Sequence, residues 1–451
     1  MALFVFFAAA TGTGVVATDR HGTWNRDVRE EASSILVTLP AEPRSCIQKH
    51  VAVYLACLLS FLQGIALRGA KMQVSLDALS QGASSFEVGA IGAMFPVFPL
   101  LLAVFAGRVG DRIGVRWPMI AGCIVMALGI AIPLAWPGIP GLFACATCTG
   151  LGQIFFHVSV HNLIGMFGEG EARTRNFATF SLAQSTSAFF GPSITGFSID
   201  GFGFGPTFVL LAAISFAPAL ILLAKPSIVP ARRPHAHEER PGGSAALLAI
   251  PALRRTLIMS GVTLTGIELF SFYFPVYGRS IGLAASTIGL VMSSYAVAAF
   301  IVRLGMSGAS RRIGEVGVLT ASLFMAGATY MLVPFVSHAI LLGVVAFLLG
   351  LGLGCAQPLT ILLTYNHAPQ GRSGEALGLR ITVNKLTQIA VPVVFGGLGS
   401  AFGLIPVFWA NGIFLLAGGV MSLAERRLST ARVVHASVGA MAAERQEEEK
   451  A

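Results

Sequence analysis

Between Arg255 and Arg279 the chain carries one charged side chain, Glu268, in the run "GVTLTGIELFSFYFPVY" (261–277). A carboxylate so placed can do proton chemistry. Burial disfavours its charged form and a nearby cation favours it, so a carboxylate that gains and loses such a partner loads and releases a proton. Two bases are similarly isolated: Arg68 in "FLQGIALRGAKMQV" (61–74) and Lys385 in "TVNKLTQIAVPVV" (382–394). A planar guanidinium suits a carboxylate or phosphate, so Arg68 and Lys385 are candidates for holding an anionic group. "QIFFHVSVH" (153–161) sets His157 and His161 one helical turn apart on one face. A zinc site needs three or four ligands and no third accompanies them, so neither a metal nor a cofactor is expected. Imidazole titrates near neutral pH, which makes His157 a second candidate for carrying protons. Cys145 and Cys148 form a C-x-x-C with no second pair, and read as small-residue packing.

These residues need elements to hold them. Only 11% of the 451 residues are charged, against about 25% in soluble domains. A hydrocarbon core about 30 Å thick takes roughly 20 apolar residues per helix. Runs of that kind lie near 50–71, 87–106, 117–136, 140–163, 177–199 and 205–224. A second set lies near 256–277, 284–304, 317–336, 338–363, 376–399 and 405–424. The expected fold is an all-α membrane protein of twelve transmembrane helices in two six-helix bundles, 50–224 and 256–424. A central loop (225–255) joins them, and a tail (425–451) follows. Residues 1–49 form an N-terminal extension. Its apolar start lacks the basic region of a signal peptide, and it reads as an interfacial anchor, a disordered segment or sequence upstream of the true start.

Charge gives the expected orientation. The N-terminal region, the loops around 107–117, 164–176, 225–255, 303–316 and 365–380, and the tail hold 26 of the 30 basic residues. By the positive-inside rule these face the cytoplasm, with both termini, across a cell inner membrane. A charge at the bilayer centre costs on the order of 2.5–3.5 kcal/mol and marks a functional site by default. Glu268 is accordingly the first candidate for proton coupling. The competing reading is a permanent pair between Glu268 and Lys385 that fixes packing. For Arg68, with Lys71 beside it, the competing reading is a side chain reaching out to the headgroups.

The two halves match 200 residues apart. Gly150-Leu151-Gly152 recurs as Gly350-Leu351-Gly352, "FGFGPTF" (202–208) as "FGLIPVF" (402–408), Gly89 as Gly289 and Pro192 as Pro392. "GRVGDRIG" (107–114) falls on "SGASRRIG" (307–314). Several groups in one register mean duplication, and an even number of spans per half makes the repeats parallel. Gln357 is then the counterpart of His157. Asn384, Thr387 and Gln388 form a polar stripe around Lys385, suited to line a cavity.

Gly107, Gly110, Asp111, Arg112, Gly114 and Arg116 resemble the G-x-x-x-D-R-x-G-R-[RK] signature of the major facilitator superfamily, bacterial twelve-helix type. Val115 departs from it, standing where that family usually has a basic residue. The resemblance implies a secondary transporter opening alternately to each side, with this loop as its gate and Asp111 facing the start of the eleventh span. It implies a small organic solute and protons as partners, a lipid bilayer as surroundings, a monomer, and neither enzymatic activity nor nucleic-acid binding. Arg68, Lys385, Asn384, Gln388 and Gln357 are the expected substrate contacts. "FFGPSITG" (189–196) partly matches a signature of family antiporters and favours a drug or metabolite exporter as the alternative. A non-transporting sensor is a further one, weakened by a central loop of about 30 residues.

Overall fold

The computed structural model describes residues 41–166, 171–224, 247–369 and 372–424. The expectations for the start of the chain, for most of the central loop and for the tail lie outside them. The described residues form helices α1 (Ala41–Ser80), α2 (Ser85–Ile113), α3 (Arg116–Ala135), α4 (Ile139–Met166), α5 (Glu171–Phe202) and α6 (Phe204–Ala224). The second set is α7 (Pro251–Ser280), α8 (Ala285–Ile313), α9 (Glu315–Leu332), α10 (Ala339–His367, broken at Cys355), α11 (Ser373–Phe402) and α12 (Leu404–Ala424). The chain is an all-α membrane protein of two six-helix sets. Helix α1 starts at Ala41, within the segment expected to precede the first span.

Eleven of these helices are long and apolar enough to cross a membrane. The twelfth, α5, has 32 residues, about 48 Å of helix, but Gln184, Ser185, Ser187 and Ser193 dilute its apolar character. Outward faces carry large apolar side chains, among them Phe202 at 75% exposure and Ile340 at 73%. This is an exterior suited to lipid.

Duplication shows in the backbone. Gly114 and Gly314, ending α2 and α8, have φ of 83° and 78°, a region L side chains rarely adopt. Gly82 and Gly282, and Gly203 and Gly403, repeat the pattern at the same spacing. The halves meet through two equivalent pairs, α2 against α11 and α5 against α8, in which each repeat supplies both roles. A Cβ on Gly89 would strike the Pro392 carbonyl, and one on Gly289 the Pro192 carbonyl, so glycine permits both approaches.

The end of the molecule at Ser85 and Ala285 is closed by hydrogen bonds within these pairs and from α7. The Tyr273 hydroxyl donates to the Pro392 carbonyl (2.5 Å) and the Ser85 carbonyl (3.2 Å). Asp200 of α5 accepts from the Ala285 and Ser286 amides at 3.1 and 2.7 Å. Its repeat counterpart Ser400 accepts from the Phe86 amide at 2.9 Å. Ser193 and Ser293 add a bond of 2.6 Å.

Candidate functional site

Helix α7 is buried along most of its length, and Glu268 lies twelve residues from its Ser280 end, about 18 Å of helix. Its Oε2 is 3.3 Å from Lys71 Nζ on α1, with the two side chains 7% and 19% exposed. This pair joins the halves at mid-depth. Glu268 therefore takes Lys71, not Lys385, as its ion partner, and Lys71 turns inward instead of reaching for headgroups. Arg68 and Lys71 are three residues apart and share one helical face. The Lys71 ammonium also lies 5.0 Å from the Phe272 ring centroid and 6.0 Å from that of Phe95, within cation–π range.

Arg68 Nη1 donates to Ser187 Oγ (2.8 Å), Gln184 Oε1 (3.4 Å) and the Gly64 carbonyl (3.3 Å). An added Cβ on Gly64 would collide with Ser187, so glycine lets α5 close on α1 there. Lys385 Nζ donates to Gln388 Oε1 at 3.0 Å on its own helix. It lies within electrostatic range of Lys71 and Glu268, which gathers Arg68, Glu268, Lys385 and Gln388 into one region. Asn384 accepts from Ser260 at 2.9 Å and ties α11 to α7.

Two of the expected site residues have partners within the protein. Gln357 is engaged by Arg380, whose Nη2 donates to Gln357 Oε1 (2.6 Å) and Thr360 Oγ1 (3.0 Å). Arg380, 5% exposed, had the look of a loop residue in the sequence, yet it sits seven residues inside α11. Gln357 thus joins α10 to α11. His157 stacks against His161 with ring centroids 4.2 Å apart, and His161 Nδ1 is 2.7 Å from the His157 carbonyl. His157 is within electrostatic range of Arg68 and of Lys385 from the other half. Among the described residues no His, Cys, Asp and Glu group is arranged to hold a metal.

Arg303 was missed by hydropathy. The apolar run ends near it, but α8 continues to Ile313, which places Arg303 about 15 Å inside the helix. Its Nε donates to the Gly354 carbonyl at 2.9 Å, and Nη1 to Ser185 Oγ across the halves. Its counterpart in the first half is Ala103, so the repeat offers no hint of it.

The expected signature loop is mostly helical, with residues 107–112 on the last turns of α2, Arg116 opening α3 and only Gly114 and Val115 between them. Arg116 Nη2 donates to the Leu222 carbonyl at 3.0 Å and so caps the end of α6. Arg112 is exposed, a Cβ added at Gly107 would meet open space and one at Gly110 only an ordinary van der Waals contact with Asn162, and Gly114 makes the turn. The Asp111 side chain lies outside the described residues. Val115 is 6% exposed in an apolar cluster with Met119, Ile120 and Leu163. Its departure from the signature is therefore a packing choice.

Comparison with known proteins agrees with this architecture. The chain is 22% identical over 362 residues to the uncharacterized MFS-type transporter YuxJ of Bacillus subtilis, covering 78% of this chain and 91% of that protein. It is 28% identical over 147 residues to the 4-hydroxybenzoate transporter PcaK of Pseudomonas aeruginosa, about a third of each chain (33% and 32%). The crystal structure of the nucleoside transporter NupG superposes with a TM-score of 0.73 at 12% identity, covering 83% of this chain and 99% of that one. The family model of the Major Facilitator Superfamily matches residues 53–387 and 256–439, and the chain belongs to that superfamily.

Proposed function

We propose that the protein moves a small organic solute across the inner membrane by alternating access, coupled to protons, with both termini in the cytoplasm. The observation that carries this reading is the Lys71–Glu268 pair, which spans the two halves at mid-depth. A half-to-half ion pair holds while Glu268 is charged. Protonation of Glu268 removes the attraction and leaves Lys71 free, so the state of one carboxylate is tied to the relative position of the halves. The closed end at Ser85 and Ala285 is the outer end in this orientation, and the Gly107–Arg116 loop lies at the cytoplasmic one. His157, near Arg68 and Lys385, is placed to share in proton movement. The solute meets Arg68, Lys385, Asn384 and Gln388, and the protein works as a monomer in the bilayer.

The test is a solute screen on proteoliposomes with an imposed pH gradient and a luminal pH dye. Proton movement should accompany uptake of an accepted solute. Glu268→Gln should abolish gradient-driven uptake while solute exchange at equal pH continues; unchanged gradient-driven uptake removes the coupling role.

A further inference from the structure

Three cations in the central region have only uncharged hydrogen-bond partners. Arg68 comes from α1, Arg303 from α8 and Lys385 from α11, and among the described residues none has a carboxylate within ion-pair distance. Both arginines are pinned to the same stretch of α5, Arg68 through Gln184 and Ser187, Arg303 through Ser185. They reach it from opposite halves and lie within electrostatic range of each other.

Neutral anchors of this kind fix a guanidinium without neutralising it. A guanidinium has five donors. Those of Arg68 are engaged at Nη1 alone, and those of Arg303 at Nε and Nη1, among the described residues. The remaining donors are in place for a ligand.

Charge points the same way. With Lys71 included, four cations share this region, among the described residues, with one carboxylate, Glu268, and that carboxylate is taken by Lys71. Uncompensated charge inside a membrane protein is expensive, and the natural compensation for paired arginines is a planar carboxylate. Beside it stand aromatic rings. Phe272 flanks Lys71, and Phe270 stacks on Tyr295 with centroids 4.5 Å apart. Tyr295 is in electrostatic range of Arg303 and Glu268.

We infer that the solute is a small organic carboxylate, held at its carboxylate by Arg68 and Arg303 together. Lys385 offers a further contact to a second acidic group. This rests on the central-site transport reading above. Because the clamp draws one arginine from each half, the carboxylate itself bridges the halves, and its arrival stabilises the arrangement in which both arginines reach it.

The experiment measures the thermal stability of the purified full chain in detergent with matched probes: succinate, glutarate, benzoate and 4-hydroxybenzoate, their uncharged amides, and phenyl phosphate. A saturable rise in Tm with one or more carboxylates, and none with the amides, is expected. Arg68→Gln and Arg303→Gln should each raise the carboxylate concentration for half-maximal shift by about tenfold or more. Lys385→Gln, anchored only within its own helix, serves where an arginine variant does not fold, and should weaken dicarboxylates more than monocarboxylates. Stabilisation by amides as strong as by acids, by phenyl phosphate alone, by no probe, or unchanged carboxylate affinity in the variants overturns the inference. The proteoliposome screen separates the two readings. Gradient-driven uptake of a neutral or cationic solute leaves transport standing and removes the carboxylate, whereas uptake of no solute removes transport itself.

Discussion

Lys71 Nζ on α1 stands 3.3 Å from Glu268 Oε2 on α7, and this ion pair is a bond between the two repeats. Its members are not repeat counterparts. At the 200-residue spacing Arg68 falls on Glu268 and Lys71 on Ser271, while the local match of Gly64-Ile65 with Gly266-Ile267 is shifted by two, so neither register pairs Lys71 with Glu268.

Removing one member of a buried pair leaves the other uncompensated, which costs about 3–5 kcal/mol where burial is complete. Lys71 is partly exposed, so the loss should fall below that range. Lys71→Met should lower Tm, and Lys71→Met with Glu268→Gln should recover most of it. A double variant no more stable than the single would show that the pair is not coupled.

The closed end predicts an asymmetry. Helix α2 caps itself through Ser84 and Glu87, whereas α8 has Ala284 at its N-cap and no side-chain cap of its own. Asp200 fills that place from the other half with two charge-assisted bonds, and Ser400 gives α2 one neutral bond in addition to its own cap. An N-cap is worth about 1 kcal/mol, and an anion at a helix N-terminus adds about 0.3–1 kcal/mol. Asp200→Ala should therefore speed labelling of a cysteine placed at Ser293 from the Ala285 end more than Ser400→Ala does. Equal rates in the two variants would count against the latch.

At the signature loop, Val115 packs in an apolar cluster. Restoring the family's basic residue with Val115→Arg should lower Tm by driving a charge into that cluster, not improve transport. The second copy has Arg311 where the first has Asp111. Asp111→Asn should accordingly reduce uptake more than Arg311→Asn, and equal losses in the proteoliposome assay would remove the one-sided gate.

The sequence by itself determined the membrane fold, because a span must be a long apolar helix that satisfies its own backbone. It determined the 200-residue register as well, since glycines at tight turns and close approaches tolerate no substitute: Gly114 and Gly314, or Gly89 and Gly289, are legible as pairs. Glu268, Arg68 and Lys385 stood out because charge is rare inside spans. Partnership was a different matter. Spacing shows that Arg68 and Lys71 share a face, but not whether that face meets lipid or protein. Only the tertiary structure brought Lys71 of α1 to Glu268 of α7. Arg303 and Arg380 lie where the expected spans overlap the basic loops, and they passed for loop residues until the helices were seen to extend on both sides of them. The gathering of Arg68 and Arg303 on α5 was decided by tertiary structure alone, because it depends on how two halves, far apart in sequence, are laid together.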